Sequence, residues 1–249
     1  MNQTKSKIIA LIPARLESTR LPRKLLKKLD GKSIIVRTYE AVVETNLFDD
    51  VIVVCDDQLL VDEIEMKNGK VVLSNKNHES GSDRIAEIAS ELDADIIINI
   101  QGDEPFIEKE ALQKVIDLFQ HPEVEVATLK KKITAIEQIN NPNCVKVVTT
   151  SNGKALYFSR SPIPYDRDQL GHATYYQHIG VYGFRKDVLL KFTKMPPSEL
   201  EMIEKLENLR MLENGIQVFL AEINHIGISI DTEEDFIRAE QFISASKME

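Results

Sequence analysis

Ile8-Ile9-Ala10-Leu11-Ile12-Pro13, running straight into Ala14-Arg15-Leu16-Glu17-Ser18-Thr19-Arg20-Leu21-Pro22-Arg23-Lys24, is an apolar run that ends in a cationic loop. An apolar run with no alternating polar face is the pattern of a parallel strand covered on both sides. Residues 51–55, 71–74 and 96–100 repeat it. Helical stretches at 33–45, 58–68 and 82–92 lie between them, the last with Ser82 or Asp83 available as its cap. Strand and helix in alternation predict a right-handed doubly wound α/β sheet. In such a sheet ligands lie beyond the carboxyl ends of the strands, which makes the loop after residue 13 the first place to look for chemistry.

Beyond Pro105 the pattern changes. A helix is expected at 108–119, strands at 124–133 and 145–150, and a Ser151-Asn152-Gly153 hairpin turn leads into a strand at 154–159. A strand at 177–185, one long amphipathic helix at 198–213 stopped by Asn214-Gly215, strands at 217–223 and 227–230, and a closing helix at 232–243 capped by Thr232 complete the reading. Residues 165–174 read as a loop. Antiparallel pairing therefore enters in the second half, whose exposed strand edges are expected to be covered in a homodimer.

Composition bounds the function. With 249 residues, 43% hydrophobic and 29% charged, the chain is a globular protein rather than a disordered or disulfide-stapled one. Its two cysteines are far apart, and Cys55 closes an apolar run as a buried free thiol. No apolar run approaches the roughly 20 residues of a membrane span, and the first residues lack a secretory leader pattern, so a cytoplasmic protein is expected. The net charge of −9 argues against a nucleic-acid surface. Yet residues 1–32 hold nine Lys and Arg against two acids, which leaves the remainder at −16 and points to an anionic ligand near the start.

The first loop says which anion. Its glycine-free turn excludes both the G-x-G-x-x-G dinucleotide fingerprint and the G-x-x-x-x-G-K-[ST] phosphate loop, since the first glycine is Gly31. Arg15, Arg20, Arg23 and Lys24 with two hydroxyls instead suit a triphosphate gripped by side chains.

The stretch from Ile12 to Lys24 resembles the signature of Rossmann-like sugar nucleotidyltransferases, and specifically that of the 3-deoxy-manno-octulosonate (Kdo) cytidylyltransferase family. Further blocks follow in the family's order: Ser80-Gly81-Ser82-Asp83-Arg84, Asn99-Ile100-Gln101-Gly102-Asp103-Glu104-Pro105, Asn141-Pro142-Asn143 with Val145-Lys146-Val147-Val148, and Ala155-Leu156-Tyr157-Phe158-Ser159-Arg160. His178-Ile179-Gly180-Val181-Tyr182, Leu206-Glu207-Asn208-Leu209-Arg210 and Ile230-Asp231-Thr232-Glu233-Glu234-Asp235 extend the likeness over roughly residues 8–240.

The resemblance implies a Rossmann-like doubly wound mixed sheet of the nucleotide-diphospho-sugar transferase type with an antiparallel dimerisation extension. It implies one domain over 1–249, with a CTP-binding half at about 8–120 and a sugar-binding and dimerisation half at about 121–249. The implied reaction is Mg²⁺-dependent transfer of CMP from CTP to the anomeric hydroxyl of Kdo for lipopolysaccharide assembly, with pyrophosphate released. Arg15, Lys24, Asp103 and Asp231 become the catalytic set and the two aspartates the metal ligands. Without the resemblance, Gly-Asp after a strand is equally a turn and Asp231-Thr232 equally a cap.

Ala14, Arg15, Arg20, Lys24, Ser80, Gly81, Ser82, Arg84 and Gln101 are assigned to the nucleotide. Gln101, Arg160, Arg167, His178, Tyr182, Glu207 and Asn208 are assigned to the sugar acid. No side-chain base is expected for the anomeric hydroxyl. Two positions depart from the family pattern: Arg23 stands for the usual glycine, expected to stiffen the loop or touch phosphate, and Asn208 stands for the usual glutamine. They keep an 8-amino-Kdo or sialic-acid type acceptor open, and a non-catalytic nucleotide sensor is the alternative from another class.

Overall fold

The computed structural model describes residues 6–246 apart from 75, 77, 79, 169, 170, 172 and 226. The chain forms two compact units: Met1–Leu112 with Ile226–Glu249, and Gln113–His225.

The first unit opens with β1 (Ile8–Pro13), every residue of which is buried. A small hairpin of β2 (Lys28–Leu29) and β3 (Lys32–Ser33) leads to α1 (Ile34–Glu44), β4 (Asp50–Cys55), α2 (Gln58–Glu65), β5 (Lys70–Leu73), α3 (Gly81–Ala89) and β6 (Ile96–Asn99). α4 (Lys109–Leu118) carries the chain across the division between the units. The strand order β6-β1-β4-β5 is parallel throughout, with Ala10 opposite Val51 and Ile98. Leu11, Ile12, Val53, Val54, Ile97 and Ile98 are fully buried, each contributing about 1.5–3 kcal/mol through removal from water. The strands are thus in place for the reason the sequence implied. α3 differs in its start: Ser80, not Ser82 or Asp83, is the cap, its hydroxyl accepting the Asp83 amide at 3.1 Å. Ser82 is buried inside the first turn.

The second unit contains β7 (Val126–Lys132), α5 (Ile136–Asn140), β8 (Lys146–Thr149), β9 (Ala155–Ser159), β10 (Tyr176–Arg185), α6 (Lys186–Phe192), α7 (Glu199–Glu204), α8 (Asn208–Glu213) and β11 (Val218–Ile223). β7 pairs parallel with β11 and antiparallel with β10, while β8 pairs antiparallel with β10 and β9. The antiparallel extension is therefore present. Gly153 forms the expected hairpin turn at φ +85°. The helix expected over 198–213 is broken in two, because Lys205 takes a left-handed conformation (φ 53°, ψ 47°) between α7 and α8. Cys55 and Cys144 are free and buried.

The chain then rejoins the first unit through residues 227–230 and α9 (Glu233–Ser246). Residues 227–230 pair with no strand among the described residues, against the strand expected there. Their backbone is held by one bond from Ile230 N to Asp103 O (3.0 Å) and by Gly227, whose added Cβ would meet Phe106 O at 2.2 Å.

Candidate functional site

At the carboxyl end of β1 the chain leaves the sheet as a loop pinned at both ends by buried Leu16 and Leu21. Pinning the apolar residues leaves Arg15, Ser18, Thr19 and Arg20 to line an open cleft of about 410 Å³. Lys24 begins a 3-10 turn after the loop and is itself buried, with its ammonium turned into that cleft. There it donates to Asp103 Oδ2 at 2.5 Å and to Asp231 Oδ1 at 2.9 Å. Arg20 Nη2 approaches the same Asp231 oxygen at 3.1 Å.

Two distant segments deliver those carboxylates. Asp103 follows β6, where Gly102 allows the turn to pass close to Pro13 O: a Cβ there would lie 3.1 Å from that oxygen. The Ile230 amide bonds back to Asp103 O and so docks the returning chain beside it. Asp235 Oδ2 then accepts the Asp231 and Thr232 amides at 3.1 and 2.9 Å, and Thr232 Oγ1 accepts the Asp235 amide at 3.2 Å, which is the expected Thr232 cap. The capping work falls to Thr232 and Asp235, and the Asp231 carboxylate is left to face the cleft.

Electrostatics follow from that crowding. Burial pulls the Lys24 pKa down, but the two carboxylates outweigh it and the net shift is upward, so the ammonium stays charged. Glu104, also lining the cleft, is pushed up to about 8 by burial and then by Asp103. Asp103 and Asp231 are hard oxygen donors converging on one point, where the ammonium now sits. A pair of carboxylates completed by substrate oxygens and water is the donor set Mg²⁺ takes. Among the described residues no cluster of three or more His, Cys, Asp or Glu forms an all-protein cage.

A second cavity of about 250 Å³ shares Pro13, Arg15 and Gln101 with the first and is completed by Ala14, Ser80, Gly81, Arg84 and His78. Gly81 lets the start of α3 approach Pro13, whose ring would lie 3.3 Å from an added Cβ. His78 Nε2 lies 2.8 Å from Glu87 Oε2 and 2.9 Å from Ser74 Oγ, fixing its ring. Arg84 is buried, paired through Nη2 with Asp56 Oδ2 at 3.0 Å, and its Nη1 has no hydrogen-bond partner among the described residues. Ser82 does not line this cavity. Arg23 lines neither: it is exposed, with left-handed backbone (φ 50°, ψ 36°).

In the second unit the residues assigned to the sugar acid divide. His178, Tyr182 and Asn208 come together: the two rings are 5.3 Å apart, Tyr182 hydrogen-bonds Asn208, and Asn208 Oδ1 is a buried acceptor without a partner among the described residues. Burial drives the Tyr182 phenol pKa strongly up and that of His178 down to about 4, so both are neutral hydrogen-bonding groups. Glu207 is the residue just ahead of α8. Arg160 is otherwise engaged, donating to the carbonyls of Glu204 (2.6 Å), Pro142 (2.9 Å) and Lys205 (3.2 Å). Arg167 is exposed in its loop.

The sequence reading missed Glu104, Ser229, His78 and Asp56. Glu104 and His78 stood beside assigned residues, and Asp56 follows a buried strand, so the strand-end rule already pointed to it. Ser229 was hidden by reading its segment as a strand.

A family model described as Cytidylyltransferase matches residues 9–223. The chain is 53% identical over 236 residues to the 3-deoxy-manno-octulosonate cytidylyltransferase of Flavobacterium johnsoniae, covering 94% of this chain and 97% of that protein. It is 47% identical over 244 residues to the like-named protein of Christiangramia forsetii, covering 97% and 98%. A solved structure of CMP:2-keto-3-deoxy-manno-octonic acid synthetase complexed with CTP superposes with a TM-score of 0.93 at 37% identity, covering 97% of this chain and all of that one. A nucleotidyl transferase from Methanothermobacter, at TM-score 0.65 and 16% identity, shares the fold.

Proposed function

The chain belongs to the cytidylyltransferase family, and from that premise we propose that it transfers CMP from CTP to the anomeric hydroxyl of 3-deoxy-manno-octulosonate. The hydroxyl oxygen bonds to the α-phosphorus and gives its proton to water as the bond from the α-phosphorus to the bridging oxygen of the β-phosphate breaks, and pyrophosphate leaves. The observation that carries this reading is the meeting of Lys24, Asp103 and Asp231 in the cleft that the glycine-free cationic loop borders.

Such a transfer passes through a highly charged centre, so positioning and charge neutralisation do most of the work. Arg15 and Lys24 hold the triphosphate and offset charge on the α-phosphoryl group and the departing pyrophosphate, with Arg20 steering at the rim. Asp103 and Asp231 would hold Mg²⁺, which would supply further charge neutralisation when bound. Before nucleotide arrives, Lys24 bridges the two carboxylates. Ser80, Gly81, Arg84, Ala14 and Gln101 take the base and ribose. Tyr182, Asn208 and His178 meet sugar-acid hydroxyls, Glu207 and Arg167 join them on the strength of family position, and Arg160 braces that region through its backbone contacts. The protein acts as a homodimer in the cytoplasm; no helix among the described residues is long and apolar enough to cross a membrane.

The test is pyrophosphate release with CTP and Mg²⁺. Asp103→Ala and Asp231→Ala each lower kcat/KM by at least about a hundredfold, the loss typical of removing a group that stabilises transition-state charge, while circular dichroism melts show both folded. Release that requires a different sugar acid would reassign the acceptor. Tight CTP binding by the unaltered protein without turnover on any sugar acid would favour a nucleotide sensor.

A further inference from the structure

We propose that Asp56 is a positioning residue that sets the pyrimidine choice of the smaller cavity by aiming the Arg84 guanidinium at the base. The proposal rests on reading the two cavities as a nucleotide site. Asp56 lies just past β4 and uses both carboxylate oxygens: Oδ2 accepts Arg84 Nη2 at 3.0 Å, and Oδ1 accepts the Leu16 amide at 2.9 Å. The first bond fixes the guanidinium plane. The second fastens the same carboxylate to the loop that carries Arg15.

Arg84 lines the cavity with its side chain 8% exposed, and Nη1 is buried without an acceptor among the described residues. A buried charged donor left unmatched is costly, so a built site of this kind is waiting for an acceptor from its ligand. Cytosine presents two neighbouring acceptors, N3 and O2. Uracil keeps O2 but carries a proton on N3, which would confront a guanidinium N–H with another donor. A fixed Arg84 therefore favours cytosine, and a guanidinium free to swing away would accept either ring. Because Asp56 also anchors Leu16, the base and the phosphate-gripping loop are referred to one carboxylate, and correct seating of the ring is felt where Arg15 leaves the strand.

The experiment measures CTP and UTP binding to the full chain by titration calorimetry with Mg²⁺, beside pyrophosphate release. The unaltered protein binds CTP at least tenfold more tightly than UTP. Asp56→Asn weakens CTP about ten- to a hundredfold, the worth of a charge-assisted hydrogen bond, and leaves UTP nearly as it was, so the preference collapses. Its effect on turnover appears in the KM for CTP, with the KM for the sugar acid unmoved. Arg84→Gln, which spares the bond to Leu16, gives the same collapse and carries the test should Asp56→Asn fail to fold. Equal weakening of both nucleotides, or no preference in the unaltered protein, overturns the proposal. Selective CTP binding without pyrophosphate release would leave it standing and sink the transferase reading instead.

Discussion

Arg23 occupies a backbone position that most side chains avoid. At φ 50° and ψ 36° its Cβ crowds the backbone, a cost of about 1–2 kcal/mol that glycine escapes. That accounts for the glycine expected here from the family pattern, and it corrects the expectation of a phosphate contact, since the side chain points to solvent outside both cavities. Arg23→Gly is expected to raise stability by up to about 1 kcal/mol after the extra flexibility of the unfolded chain is subtracted, seen as a higher urea midpoint with turnover retained. His178 makes a different kind of residue-level statement. Thr128 has one hydroxyl proton, and Val181 O at 2.7 Å is its nearest acceptor, so Nε2 of His178, 3.2 Å from that hydroxyl, is the donor between them. Burial holds the folded imidazole neutral down to about pH 4, whereas the unfolded chain takes up a proton near 6.5. Its contribution to stability is therefore complete above 6.5 and drains away as pH falls toward 4. Melting temperatures from pH 8 to 4.5 should show a shallower acid decline in His178→Gln than in the parent chain; equal slopes would contradict this.

At the scale of elements, α7 and α8 form a locked pair. Ser198 and Glu201 build a capping box at the start of α7, and Arg210 on α8 reaches back to Glu201 with bonds of 2.7 and 2.5 Å. Burial favours the neutral carboxyl, but Arg210 and the Ser198 amide reverse it and hold Glu201 below its ordinary range. The two side chains are only 9% and 13% exposed, so Arg210→Met leaves a nearly buried carboxylate with the Ser198 amide but without its counter-charge and should cost about 3 kcal/mol in urea denaturation. The apolar spacing that predicted one helix over 198–213 could not register Lys205, because a single left-handed residue leaves the periodicity almost intact. α6 was missed for a related reason: Arg185, which precedes it, offers no side-chain cap, and β10 runs straight into the helix. What the sequence did reveal were elements whose own residues state their environment, namely the Ile- and Val-rich parallel strands and the helices with a buried stripe. The site was legible to the same extent. Lys24, Asp103 and Asp231 stand at loop and strand-end positions within a recognisable motif; Asp56 also stands at a strand end, but its partners Arg84 and Leu16 are 28 and 40 positions away and no motif joins them.

The whole molecule sets its cationic beginning against acids supplied by its later segments: Lys24 against Asp231 and Lys27 against Glu233 at 2.5 Å. It also leaves apolar surface uncovered. In the second unit Ile136 is 70% and Tyr165 80% exposed, and both line an open depression of about 870 Å³. If this face meets a second copy, light scattering at micromolar concentration will read twice the chain mass of 28.3 kDa, and Ile136→Asp or Tyr165→Asp will reduce it to one. A monomeric parent protein would defeat the dimer reading. The ion pairs of the cleft have a further bearing on biosynthesis. Lys24 and Asp231 are 207 positions apart, so on the ribosome the ammonium emerges long before one of its two counter-charges has been translated. The cluster of one ammonium and two carboxylates therefore closes only after the segment leading into α9 has been made.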